Sequence, residues 1–261
     1  MSSKPASVSI SFCTTCKGRL YQLRETLPGN LASLAADEEI VLVDFDSPDE
    51  LTPWVWDNFR AEIEGGKLRF FEVLDQAPWH SSKAKNLAHR LARGRFVFNL
   101  DGDNFLMPQD AAMIRAAFAQ GFAARQGSGD LRDGTPGRIG LPREVFLDLG
   151  GYDEGLLGTL IHDWDLIVRA EAIGQTFQRL GPPVKAPVQN DVVEKFANYP
   201  RGKAGSDDDL KRMGQVNLAM ARLRMEFDGP RRLQNFATYR GRLNGEKVIL
   251  DGLGNIHRVT A

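Results

Sequence analysis

Four β-branched or aromatic runs of strand length divide the first hundred positions: residues 6–12 (ASVSISF), 38–45 (EEIVLVDF), 67–74 (KLRFFEVL) and 95–100 (RFVFNL). Between them the apolar spacing changes to that of helices. Leu20, Leu23 and Leu27 recur at helical intervals, and Pro28 is expected to close that segment. Ala84, Leu87, Ala88 and Leu91 share one face of a second helix, with Ser81 or Ser82 as N-cap and Gly94 as its stop. Strands joined by helical crossovers predict an α/β fold, a mostly parallel central sheet flanked by helices on both faces.

Beyond residue 103 the pattern loosens. Residues 108–120 read as a helix, and 125–138, with four glycines, as a flexible loop. A short helix ending in the Gly150-Gly151 turn follows, then a helix over 162–174 with Leu166, Ile167, Ala170 and Ile173 apolar. Residues 175–180 resemble a last strand. A helix from about 204 to 225, capped by Ser206 or an early aspartate, precedes an Asn244-Gly245 hairpin. No linker divides the chain, which reads as one domain: 1–104 a nucleotide-sugar half, 105–190 an acceptor and catalytic half, and 191–261 a helix and hairpin extension.

Composition narrows the class. A hydrophobic fraction of 42% and a charged fraction of 26% over 261 residues describe an ordinary globular chain. A net charge of −1 with interleaved signs gives no nucleic-acid footprint. No transmembrane run and no secretory h-region is visible, so a cytoplasmic location is expected, with peripheral membrane contact left open. Cys13 and Cys16 are too few for a zinc site. Cys13 is expected to end a buried strand, with Cys16 in the loop after it.

The chemistry gathers at "FVFNLDGDNFLMP", residues 96–108. Two like charges at the end of an apolar strand are costly unless a cation lies between them. In open α/β sheets ligands bind beyond the carboxyl ends of strands. Asp101 and Asp103, two apart in an extended segment, would face one ligand, while Gly102 lets the backbone approach. Few hard oxygen donors suit Mg²⁺ or Mn²⁺ shared with substrate phosphates; the alternative is a solvated Asp-Gly turn. A Walker loop and a dinucleotide fingerprint are both missing.

Four segments, in order over about residues 7–180, carry a resemblance: SISFCTTCKGRLYQLRETL, IVLVDFDSPDEL, KAKNLAHRLARGRFVFNLDGDN and GGYDEGLLGTLIHDWDLIVRA. Together they are similar to the inverting, family 2-type glycosyltransferases of the GT-A fold. That resemblance implies a metal-dependent sugar transfer from a nucleotide diphosphate sugar, UDP-linked, to a glycan or other hydroxyl acceptor, as in polysaccharide biosynthesis. It implies Asp103 as the Mn²⁺ or Mg²⁺ ligand and Asp101 at the ribose and the metal's water shell. Asp44 would contact the nucleobase or ribose. Thr14, Thr15, Arg19, Lys85, Asn86 and Gly102 would complete the donor site. Asp163 would be the general base, taking the acceptor's proton. Gly151 would shape the acceptor loop, and Trp164 would stack on a sugar. His162 stands where the family carries an acidic residue. Asp165 and Arg169 read as a helical ion pair, and residues 190–209 as a candidate lid. A non-catalytic nucleotide-sugar-binding protein is the rival reading.

Overall fold

The computed structural model describes residues 8–75, 78–129, 134–189, 206–231 and 237–259. Strands β1 (Ile10–Cys16), β2 (Glu38–Asp44), β3 (Leu68–Val73) and β4 (Phe96–Asn99) run parallel, in the spatial order β3-β2-β1-β4. Helices α1 (Leu20–Ala32), α2 (Leu51–Glu64) and α3 (Ser81–Leu91) make the crossovers. Successive strand residues point to opposite faces and build two cores. Phe12, Ile40, Leu42, Phe70 and Phe98 pack with α1 and α2 on one face. Cys13, Val41, Val43, Phe71 and Val97 pack with α3 on the other.

The chain continues with α4 (Pro108–Ala119), β5 (Ala123–Arg125), β6 (Ile139–Pro142), α5 (Arg143–Asp148), α6 (His162–Ala172) and β7 (Phe177–Arg179). Helix α7 (Asp207–Phe227) and strands β8 (Tyr239–Leu243), β9 (Glu246–Leu250) and β10 (Ile256–Arg258) complete it. The ten strands form one mixed sheet, ordered β10-β9-β8-β3-β2-β1-β4-β6-β5-β7. Thus the β8–β9 hairpin, turning at Asn244 and Gly245 with both φ positive, adds to the sheet beside β3. Among the described residues no helix is long and apolar enough to cross a membrane.

Several elements depart from the sequence expectation. β1 runs four residues further than residue 12, because Thr14, Thr15 and Cys16 pair with Leu42, Val43 and Asp44 of β2. Cys16 is therefore the last strand residue rather than a loop residue. Burial pushes its thiol up to about 12 and that of Cys13 well above the ordinary range. Pro28 does not end α1, which continues to Ala32 with Leu31 buried. Proline removes one helical donor there, and the apolar stripe outweighs the loss. The cap of α3 is His80, whose ring Nδ1 accepts the Lys83 N–H at 3.4 Å, rather than Ser81 or Ser82. Helix α2 was not singled out, although Leu51, Val55, Phe59 and Ile63 are buried at four-residue spacing. The expected loop 125–138 is bounded by strands β5 and β6, with Gln126 and Arg138 buried in one hydrogen-bonded cluster. Gly140 of β6 is required there: a Cβ would lie 2.5 Å from the Phe118 ring and 2.7 Å from Phe98.

Candidate active site

The carboxyl ends of β1 and β4 open into a cavity of about 620 Å³. Thr15, Arg19, Lys85, Asp101, Asp103 and Asp163 supply its polar lining, while Trp79, Pro136, Leu160, Trp164 and Leu218 supply apolar walls. Asp101 and Asp103 do not lie in an extended segment. The Asn104 N–H donates to the Asp101 carbonyl at 2.9 Å, which closes a turn with Gly102 and Asp103 at its centre. The turn nevertheless presents both carboxylates to the cavity. Helix α1 braces it from behind: the Thr26 hydroxyl donates to the Gly102 carbonyl at 2.7 Å, and the Asn30 amide to that of Asn104 at 2.9 Å.

Asp101 of the acidic pair faces a cation of the chain itself, Lys85, from the second turn of α3. Its ammonium lies 3.3 Å from Asp101 Oδ1 and 3.0 Å from Asp163 Oδ1, so it bridges the β4 turn and α6. Burial disfavours this charge, but the carboxylates of Asp101 and Asp163 outweigh it and push the lysine well above its ordinary range. Asp101 also accepts the Asn99 amide at 3.0 Å.

Across the cavity, α6 starts at His162 and holds Asp163 and Asp165 in its first turn. A helix N-terminus favours carboxylates. Arg169, fully buried, donates to Asp165 at 2.8 Å, to the Leu149 carbonyl at 2.8 Å and to that of Gly151 at 2.6 Å. The expected i,i+4 pair is present and also fixes α6 to the Gly-Gly turn. Gly150 and Gly151 take φ of 74° and 67°, left-handed values that suit glycine. A side chain at Gly151 would collide with Asn86. His162 is buried, its Nδ1 paired with the Ser82 hydroxyl and its Nε2 3.3 Å from the Leu157 carbonyl. Burial lowers its pKa to about 3, so the ring is neutral at physiological pH.

Of the sequence-expected residues, Thr15, Arg19, Lys85, Asp101, Gly102, Asp103, Asp163 and Trp164 line this cavity. Four others are placed elsewhere. The Thr14 hydroxyl donates to the Leu100 carbonyl at 2.8 Å inside the sheet. Asp44 is buried, accepting the Ser47 N–H at 2.7 Å and the Thr52 hydroxyl at 2.7 Å; burial raises its pKa. Asn86 donates to the Tyr152 carbonyl and to Glu154, both at 2.9 Å, and Gly151 lies behind it. These two brace the loop after α5 from outside the cavity. Residues 190–205 of the candidate lid lie outside the described residues. Sequence reasoning missed the cavity's α7 contribution, Leu218 and Arg222, as well as Pro136 and Gly137.

Among the described residues no group of three or more His, Cys, Asp or Glu side chains could hold a metal ion. One or two carboxylates are still what a Mg²⁺ or Mn²⁺ ion needs when diphosphate oxygens and water supply the rest. Asp103, whose Oδ1 accepts the Asn104 amide at 2.6 Å, lines the cavity beside Asp101, which faces Lys85.

The fold has counterparts among solved structures. The S. aureus TarS 1–349 chain in complex with UDP-GlcNAc superposes with a TM-score of 0.60, at 16% identity over 82% of this chain and 66% of that one. The mannosyltransferase PcManGT from Pyrobaculum calidifontis, in complex with GDP-Man and Mn²⁺, gives 0.53 at 17% identity over 85% and 70%. The fold is GT-A. At these identities the likeness concerns architecture alone, and the chain spans just under two thirds of that TarS chain. No protein-family model matches the chain. A Bacillus subtilis protein named as an uncharacterized oxidoreductase, YrpG, is 33% identical over 73 residues, 27% of this chain and 22% of that protein. So short a span assigns no family.

Proposed function

We propose that this GT-A chain is a metal-dependent, inverting glycosyltransferase that moves a sugar from a nucleotide diphosphate, UDP, to a glycan or other hydroxyl acceptor. The observation that carries the reading is one cavity lined by Asp101, Asp103 and Asp163, in which Lys85 bridges Asp101 and Asp163. TarS in complex with UDP-GlcNAc and PcManGT with GDP-Man and Mn²⁺ share the fold, which supports a nucleotide-sugar donor.

In this reading Asp103, with Asp101 behind it, would hold Mn²⁺ or Mg²⁺. Such an ion offsets the charge that develops on the departing diphosphate. Arg19 and Thr15, at the end of β1, meet the nucleotide. Asp163 takes the proton of the acceptor hydroxyl as its oxygen bonds to the anomeric carbon. The bond from that carbon to the diphosphate oxygen breaks, leaving its electron pair on the diphosphate, and attack from the opposite side inverts the centre. Lys85 keeps Asp163 and Asp101 at fixed separation through this exchange, and Trp164 offers a flat apolar face to the acceptor ring. The test is turnover of a nucleotide-sugar panel against simple glycoside acceptors, with Mn²⁺ and with excess EDTA. Release of UDP that requires both metal and acceptor supports the proposal. UDP binding without turnover of any donor would leave a nucleotide-sugar-binding protein instead.

A further inference from the structure

The loop that delivers Asp163 is held in a conformation its own residues disfavour. Leu160 and Ile161, immediately before α6, take φ of 67° and 72°. Left-handed backbone is costly for any residue with a Cβ and most so for a β-branched one such as isoleucine. Such strain persists only where surrounding contacts over-determine it.

Those contacts come from α7. Asn217, fully buried on that helix, accepts the Leu157 N–H at 2.7 Å through its side-chain oxygen. Its amide nitrogen lies 2.8 Å from the Leu157 carbonyl, 2.9 Å from that of Thr159 and 3.0 Å from that of Leu160. One side chain thus gathers four backbone groups of a four-residue span. Met213, one turn earlier, receives the Thr159 N–H on its sulfur at 3.4 Å. Arg224, two turns later, pairs with buried Asp153 at 2.5 Å. On the opposite side α3 holds the same loop at other points: the Ser81 N–H donates to the Gly158 carbonyl at 3.2 Å, and Ser82 meets His162. The loop is therefore pinned between the helix that carries Lys85 and a helix that carries no group of the proposed chemistry.

We infer that Asn217 is a positioning residue: it clamps residues 157–160 and so holds the left-handed Leu160 and Ile161 from which Asp163 and Trp164 enter the cavity. The inference rests on the transferase reading for its link to catalysis, but the clamp itself does not. It gives α7, for which the sequence offered no role, a task at the Asp163 loop besides lining the cavity with Leu218 and Arg222.

The test uses the full chain with Asn217→Ala and Asn217→Ser, Ser keeping one hydroxyl donor in case Ala folds poorly. Amide hydrogen exchange is read at Leu157 to His162, and kcat, acceptor KM and UDP affinity are measured on the folded fraction. Exchange in 157–162 should rise while the core strands stay protected. kcat should fall about ten- to a hundredfold, the usual cost of misplacing a reacting group by about an ångström. Ser should lie between Ala and wild type, and UDP affinity should stay within about twofold. Unchanged exchange in the loop would overturn the clamp whatever reaction the protein performs. A loosened loop with kcat within twofold of wild type would overturn its link to Asp163. If wild type turns over no donor while the loop loosens as expected, the transferase reading fails and the clamp stands.

Discussion

β2 ends in Asp44, and β4, at the same edge of the sheet, is followed within four residues by Asp101 and Asp103; the two ends are used differently. After β2 the chain enters α2 within seven residues, and the Ser47 N–H and Thr52 hydroxyl take one oxygen each of Asp44. That carboxylate is buried and ties the turn at Ser47 to the first turn of α2. After β4 no helix starts until Pro108. The intervening turn leaves Asp101 and Asp103 on the cavity wall, where Lys85 links the first of them to Asp163. An acidic strand end is thus a candidate site only where the following chain leaves its oxygens facing open space.

The largest expected effect lies across the cavity from β4. Asp163→Asn keeps the shape but cannot take a proton, so transfer should fall by about 10²–10⁴ while UDP affinity is nearly unchanged. Steady-state rates beside calorimetric affinities check this, and near-normal transfer would remove Asp163 from the chemistry.

Acid should separate the two ends by sign. Burial holds His162 of α6 and the buried His89 of α3 at about 3, below their unfolded value. The folded protein then binds fewer protons than the unfolded chain, so this stability is complete above about pH 6.5 and is lost as pH falls towards 3. Each histidine contributes a slope of up to about 1.4 kcal/mol per pH unit. Asp44 works the other way: its raised pKa makes the folded state bind more protons, which opposes acid unfolding. Urea midpoints between pH 7 and 4.5 should fall less steeply in His162→Asn than in wild type. Equal slopes would contradict the assignment.

Lys85→Met should follow in size. Removing one partner of a buried pair costs about 3–5 kcal/mol when the other charge stays dry. Asp101 and Asp163 retain side-chain exposures of 34% and 27%, so water recovers part of it and about 1–3 kcal/mol is expected. A thermal melt within 1 °C of wild type would show that the bridge contributes nothing net. Asp44→Ala should cost least, about 0.5–1.5 kcal/mol of stability, the net worth of a hydrogen bond, because burial already disfavours the charge it removes.

The sequence made the parallel half legible because its signals are local. Strands β2, β3 and β4 are unbroken β-branched runs, and the leucines of α1 and the alanines and leucines of α3 mark one face each. It misled where tertiary pairing decides. Thr14 and Thr15 look like loop residues, yet they continue β1, paired with Leu42 and Val43 of β2. β5 and β6 are three and four residues long, border a glycine-rich segment, and have no periodicity to read. Within the site, the cavity position of Asp101, Asp103 and Asp163 followed from motif order. The inward turn of Asp44 did have a signal, the Ser47 and Thr52 hydroxyls shortly after it. The role of Asn217 had none, since a single asparagine on an amphipathic helix gains meaning only from the loop opposite.

The most direct test of the account is UDP affinity by calorimetry for wild type, Asp103→Asn and Asp44→Asn, each with Mn²⁺ and with excess EDTA. The account predicts that EDTA and Asp103→Asn each weaken UDP binding by about tenfold or more, the worth of a charge-assisted contact, and that their effects do not add. Asp44→Asn should bind UDP within about twofold of wild type and keep its metal dependence. Metal-independent binding that Asp103→Asn leaves intact, with a large loss in Asp44→Asn, would contradict it and move the donor site to the end of β2.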